Sequence, residues 1–290
     1  MSTASTIPIS IVMTVYNRDR FLATAIDSIL AQSYPHFELI LWDDGSSDRS
    51  LDIARSYAAQ DSRIQLFEAE HLGRVPALAR STVKANGQFI GLVDSDDVLM
   101  PTALEKTVEI LQKRPDIGMI YTNHAVLNEA GKTLGVGDRC KIPFSMENLL
   151  INFMTFHFRL IRTDTFWKVG GFDTRFKSSE DYDLCLKLSE VTTIYHLPEV
   201  LYGYRTHQQS MSRAGQLEQI KYTYSAISQA LKRRGLNDKL ELNLDLQAKY
   251  TIQKKTSAPL GASPVRAVTD RQSKSELICK QKPKQPSCES

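Results

Sequence analysis

Residues 88–100 read QFIGLVDSDDVLM: a run of apolar or small residues from Phe89 to Val93, then Asp94, Asp96 and Asp97. The run fits a strand buried on both faces, as in a parallel sheet covered by helices. Three carboxylates so closely spaced repel one another in a partly shielded cleft, so the arrangement asks for a compensating cation. A divalent metal is the simplest one.

Upstream, strand and helix patterns alternate. Ile7 to Val15 reads as a strand ending in Tyr16-Asn17, and Phe21, Leu22, Ala25, Ile26, Ile29 and Leu30 follow at helical spacing. Phe37 to Trp42 reads as a second strand, and residues 43–48 (DDGSSD) supply turn and cap chemistry before a helix over Ser50 to Ala59. Arg63 to Glu68 reads as a third strand and Val75 to Asn86 as a helix with Gly87 at its C′ position. After the opening stretch, Pro101 starts a helix over Thr102 to Arg114, and Ile117 to Tyr121 is the next strand. Such alternation predicts parallel pairing through right-handed crossovers, hence a doubly wound α/β sheet. Ligands bind outside the carboxyl ends of strands in such sheets. Tyr16-Asn17, Asp43-Asp44 and Asp94 to Asp97 all fall there.

Beyond Tyr121 the pattern becomes mixed α+β. A hairpin is expected over Ala125 to Val136, a strand over Phe156 to Ile161, and a turn at Gly170-Gly171-Phe172-Asp173. Glu180 to Asp183 opens a helix, where acidic residues suit the first turn. Thr193 to Leu197 and Val200 to Tyr204 read as two short strands around Pro198, and Gln216 to Arg234 and Asp238 to Lys254 as amphipathic helices. From Thr256 onward Pro, Ser, Lys and Gln dominate, which predicts disorder.

The 290 residues are enough for a large core. The net charge of +3 is uneven: residues 254–290 hold 8 Lys and Arg against 3 acidic residues, which leaves the rest slightly negative. No basic face is visible, which argues against a nucleic-acid partner. Cys140, Cys185, Cys279 and Cys288 match no zinc spacing, and a reducing compartment is expected. With no signal-peptide pattern and no apolar run of about 18 residues, the expectation is a cytoplasmic protein, with peripheral association at the inner face of the membrane left open. The oligomeric state is not readable.

Taken together, VxxYNR, WDDGSSD, VDSDD, GGFD, EDYDLCLKL and YRTHQQS, in this order from about Ile7 to Ser212, resemble the family 2 glycosyltransferases. That resemblance implies a GT-A fold: a Rossmann-like, mostly parallel sheet with helices on both faces and a mixed α+β acceptor-side half. It divides the chain into a nucleotide-sugar half (1–122), an acceptor-side half (123–215), C-terminal helices (216–253) and a basic tail (254–290). It further implies inverting transfer from a nucleoside-diphosphate sugar, UDP- or dTDP-linked, to a carbohydrate, lipid-linked or protein hydroxyl in cell-surface polysaccharide, glycolipid or glycan synthesis.

By the same resemblance, Asp96, with Asp94 and Asp97, would hold Mg²⁺ or Mn²⁺ on the diphosphate, and Ser95 lies within that motif. Three other readings of the acidic stretch are a solvated turn, a calcium loop and a haloacid-dehalogenase phosphatase. The calcium loop fails because Val98 and Leu99 stand where a ligand and a turn glycine are needed. The phosphatase would place its aspartate near the N-terminus, whereas three strand-helix units precede Asp94. Asp44, with Asp43, is either a turn and cap or the acceptor for a pyrimidine imide; Val15, Tyr16 and Asn17 either end a strand or line base and ribose. Arg74 reaches the diphosphate or caps a loop. His207 is structural or closes over diphosphate and metal. Asp181, with Glu180 in reserve, is the implied general base; adjacent helical residues point about 100° apart, so one of the two is expected to face the acceptor. Trp167 reads as core rather than as an acceptor platform. A non-catalytic nucleotide-sugar binder is the alternative of a different class.

Overall fold

A computed structural model describes residues 9–207 and 216–245. Contacts divide the chain into Met1–Leu244 and Asp245–Ser290, and the described residues other than Asp245 lie in the first unit.

The opening stretch is the strand β4, Phe89–Leu92, buried throughout. It lies parallel to β1 (Ile9–Val15), which lies parallel to β2 (Phe37–Asp43), itself parallel to β3 (Ile64–Glu68). Because strand side chains alternate in direction, Ile9, Ile11, Met13 and Phe89 join the core on one face, while Val12, Ile90 and Leu92 join the core on the other. Gly91 is where β4 meets its neighbours most closely: a Cβ there would stand 2.7 Å from Ile11 Cδ1 and 3.0 Å from the Phe158 ring.

Helices cover the sheet. The first, α1 (Leu22–Leu30), buries Leu22, Ala25, Ile26 and Ile29, the helical stripe of the sequence. Then come α2 (Ser50–Gln60), α3 (Arg74–Thr82) and α4 (Ala103–Lys113). The helix expected to run to Asn86 ends at Thr82. Past it the chain tightens into three-residue turns, Lys84 N to Ser81 O and Ala85 N to Thr82 O. Asn86 N–H then donates to Glu38 Oε1 and Gly87 N–H to Ser10 Oγ, so side chains of β1 and β2 take the donors a longer helix would have used.

The second half completes one sheet in the order β3-β2-β1-β4-β8-β6-β9-β5. Its members are β5 (Val98–Leu99), β6 (Ile117–Leu127), β8 (Arg159–Arg162) and β9 (Thr193–Arg205), with β7 (Thr133–Val136) hairpinned onto β6. The strand β8 is antiparallel to both β4 and β6, so it separates two strands that alternation alone would place side by side. Two short strands were expected around Pro198, but β9 is continuous. Its register on β6 steps from Thr122↔Leu197 to Asn123↔Val200, so Pro198 sits in a bulge, where its missing N–H leaves no ladder bond unmade.

Short helices α5 (Met146–Leu149) and α6 (Thr163–Lys168) precede α7 (Glu180–Ser189). The Gly170-Gly171 turn is left-handed at both residues (φ +80° and +60°), and a Cβ on Gly171 would meet the Phe166 ring at 2.9 Å. Trp167, expected in the core, is 42% exposed, because on this short helix Phe166 takes the buried position. The last helix, α8 (Gln216–Arg233), packs on α7 through Ala226, Ile227, Ala230 and Leu231, and Arg233 and Arg234 both reach Glu190. Residues 238–245, expected to begin a helix, are not helical. Leu242 instead packs beside the α7–α8 core, and its carbonyl accepts from Tyr224 Oη. The rest of that expected helix, and the tail, lie outside the described residues.

Candidate active site

The ends of the parallel strands converge as topology requires. Val15 faces Asp43 across the β1–β2 ladder, Asp44 N–H donates to Val15 O, and Val93 N–H donates to Val12 O, so Tyr16, Asp44 and Asp94 share one edge of the sheet. A cleft of about 510 Å³ opens there. Val15, Tyr16, Asp44, Arg74, Asp94, Ser95, Asp96, Glu180 and Asp181 line it; Asn17, Asp43, Asp97 and His207 do not.

At one end, Asp44 is buried and fastens the loop before α3. Leu72 N–H donates to its Oδ1 (3.1 Å) and Gly73 N–H to its Oδ2 (2.9 Å), while His71 Nδ1 lies 2.9 Å from Oδ2. The His71 ring stacks on Tyr16, centroids 3.8 Å apart. Asn17, left-handed at φ +52°, ties the first loop to the second: its Oδ1 accepts from Ser47 N–H and its own N–H donates to Ser46 Oγ. Asp43 caps the same turn by accepting from Ser46 N–H.

In the middle stand the three aspartates, each in a different environment. Asp94 takes Arg74 Nη2 at 2.8 Å and His157 Nε2 at 3.4 Å. Burial works against its charge, but Arg74 and His157 outweigh that and hold the carboxyl well below the usual range. Asp96 Oδ2 accepts from Arg18 Nε (3.1 Å) and lies 2.9 Å from His207 Nε2. Asp97 sits behind the cleft wall, 1% exposed, accepting from Tyr202 Oη (2.8 Å) and Arg205 N–H (2.7 Å). Burial, with Asp96 and Asp94 close by, pushes its carboxyl well above the usual range.

At the far end, α7 presents the acidic pair after Ser179, whose left-handed φ of +60° turns the chain into the helix. Glu180 is buried and accepts from Arg74 Nε at 2.8 Å; burial raises its carboxyl and Arg74 only partly offsets the rise. Asp181 Oδ2 accepts from Arg159 Nη1 and Nη2 at 3.3 and 3.2 Å. Both acidic residues line the cleft, but they turn to different partners: Glu180, 4% exposed, to Arg74, and Asp181, 18% exposed, to Arg159.

Asp94, Asp97 and His157 each offer a ligand atom within 4.8 Å of the others. A carboxylate-rich donor set is the hard-oxygen chemistry that Mg²⁺ and Mn²⁺ take, so the residues present fit a divalent cation. Four participants were not singled out in the sequence: Arg18, His157, Arg159 and Tyr202. The Arg159 signal was there. An arginine inside the apolar run FHFRLI must find a carboxylate if that run is a buried strand.

The family model for "Glycosyl transferase family 2" matches residues 10–170, more than half of the chain. The chain belongs to this family. It is 28% identical over 250 residues to the chondroitin synthase of Pasteurella multocida, covering 85% of this chain but 26% of that relative's length. In fold, this family 2 glycosyltransferase is similar to S. aureus TarS 1–349, crystallised with UDP-GlcNAc (TM-score 0.62, 19% identity, 81% of this chain and 68% of that one). It is also similar to the mannosyltransferase PcManGT of Pyrobaculum calidifontis, crystallised with GDP-Man and Mn²⁺ (TM-score 0.59, 17% identity, 77% and 64%). Both likenesses show the GT-A fold. Among the described residues no helix is long and apolar enough to cross a membrane.

Proposed function

We propose that this family 2 glycosyltransferase moves a sugar, with inversion, from a UDP- or dTDP-sugar to a hydroxyl acceptor in polysaccharide, glycolipid or glycan synthesis. The observation that carries the reading is a single cleft that gathers Asp44, the Asp94–Asp96 stretch and the Glu180–Asp181 pair, residues brought together only by the fold. The names of the relatives support a saccharide-building role, since chondroitin synthase is one of them.

In this reading the nucleobase lies against Tyr16, with Val15, Asn17 and Asp43 shaping its surroundings. Asp44 Oδ1 keeps a second lone pair after serving the Leu72 amide and accepts the imide N–H, while Oδ2 serves the Gly73 amide with His71 Nδ1 beside it. The diphosphate lies along Ser95 and Asp96, near Arg18, Arg74 and His207. Asp96, Asp94 and Asp97, with His157 close by, would hold Mg²⁺ or Mn²⁺, which when bound stabilises negative charge on the departing diphosphate. Asp181 accepts the proton of the acceptor hydroxyl as that oxygen bonds to the anomeric carbon and the bond from that carbon to the diphosphate oxygen breaks. The Arg159 pairing to one oxygen orients the other toward the acceptor. On this reading residues 1–122 serve the donor and 123–215 mainly the acceptor, with His157 and His207 reaching back to the central aspartates.

The test is a panel of nucleotide sugars in a thermal-shift assay with Mn²⁺. A donor present at 100 times its dissociation constant stabilises by about 2.7 kcal/mol. A panel with no stabilising nucleotide sugar contradicts the reading.

A further inference from the structure

Arg74 is held by two carboxylates from opposite sides of the cleft. Its Nη2 lies 2.8 Å from Asp94 Oδ1, just past β4, and its Nε lies 2.8 Å from Glu180 Oε1, at the start of α7 and 106 residues further along the chain. The ion pair is well shielded: the Glu180 side chain is 4% exposed and that of Arg74 26%. The backbone fixes where the arginine stands. It is the first residue of α3, follows Gly73 at φ +94°, and the loop before it is pinned by the two Asp44 oxygens. One guanidinium therefore joins the nucleobase end, the central aspartate and the acceptor-side helix.

A guanidinium has five N–H groups in one plane, and it pairs with phosphate oxygens as readily as with carboxylates. A diphosphate lying beside Asp94 and Asp96 meets the same Arg74 that Glu180 now engages. We infer that Arg74 is a positioning residue shared between the donor diphosphate and Glu180, so that donor binding draws it from the acceptor-side carboxylate and couples the two half-sites. This inference rests on the glycosyltransferase reading above. It gives Glu180 a role distinct from that of a base: Glu180 is the acceptor-side competitor for the arginine.

Competition has a signature that a purely structural ion pair lacks. The experiment measures UDP binding calorimetrically at fixed Mn²⁺ for the wild type, Arg74→Met, Glu180→Gln and the double variant, with a thermal melt of each. Arg74→Met weakens UDP at least tenfold. Glu180→Gln, nearly isosteric, tightens UDP at least threefold because the competitor has lost its charge, and it changes nothing when Arg74 is already Met. Should Arg74→Met melt below the assay temperature, Arg74→Lys takes its place in the cycle, and Glu180→Gln then tightens UDP by a smaller factor. Unchanged or weaker UDP binding in Glu180→Gln, or the same effect in both backgrounds, overturns the inference. If the wild type binds UDP, dTDP and GDP not at all, the nucleotide-sugar reading itself falls, and the inference with it.

Discussion

The Arg159 guanidinium, 1% exposed on β8, donates from both terminal nitrogens to a single oxygen of Asp181 on α7. A buried ion pair is weak evidence for stability, but two donors on one oxygen fix how the Asp181 carboxylate is turned. Arg159→Met is expected to lower kcat by about 10²-fold with UDP affinity little changed, since the base loses its orientation rather than its identity. It should also destabilise the fold by about 1–3 kcal/mol, because Asp181 stays partly solvated in the cleft. Steady-state kinetics and urea denaturation separate the two effects.

Asp96 is the acceptor on which Arg18 and His207 meet. Asp96→Asn keeps the shape but removes the charge. Its melting temperature should stay within a few degrees of the wild type, while sugar transfer falls by at least about 10²-fold. The Mn²⁺ dependence of donor-induced stabilisation should weaken as well. Thermal shift with and without Mn²⁺ reads this directly.

Behind the cleft, Asp97 works through Tyr202 and Arg205. Asp97→Ala strands the Tyr202 hydroxyl and the Arg205 amide, each a buried donor, and should destabilise by about 2–4 kcal/mol. The loss should carry over to activity, because Arg205 Nε also holds the Asp96 carbonyl. Chemical denaturation at neutral pH gives the number.

How much of this was readable in the sequence follows from the range of each interaction. The strand-helix units of the first half show in the chain because they are local: the α1 stripe Leu22, Ala25, Ile26, Ile29 needs no distant partner to be recognised. The Gly170-Gly171 turn is legible for the same reason. The insertion of β8 between β4 and β6 is not, since an antiparallel partner arriving some 70 residues later leaves no trace in the β4 pattern. Likewise the burial of Asp97 depends on Tyr202 and Arg205, 105 and 108 residues away, and from the sequence alone it has the same standing as Asp94. His157 stands between Phe156 and Phe158, with no local mark of a ligand role. Only the fold turns its ring toward Asp94.

The β4 strand offers a packing test. Gly91→Ala places a methyl 2.7 Å from Ile11 Cδ1 and against Phe158, so something must move. Overpacking of this kind destabilises by about 1–3 kcal/mol. A melt of Gly91→Ala that matches the wild type would show that the strand has slack the close contact denies.

His124 supplies a pH dependence. Burial lowers its imidazole from the ordinary 6.5 to about 4. The unfolded chain therefore binds a proton near pH 6.5 that the folded one refuses until about 4. Its contribution to stability is present in full above pH 6.5 and is lost as pH falls toward 4. Denaturant midpoints across that window should fall more steeply in the wild type than in His124→Gln.

The most direct measurement follows nucleoside diphosphate released from a panel of UDP- and dTDP-sugars with Mn²⁺ and oligosaccharide acceptors, in the wild type and in Asp181→Asn. The wild type should release UDP or dTDP with at least one donor, and Asp181→Asn should release it about 10²–10⁴-fold more slowly while binding UDP as well as the wild type does. Wild-type rates in Asp181→Asn, or inorganic phosphate as the product in place of a nucleoside diphosphate, would contradict the account.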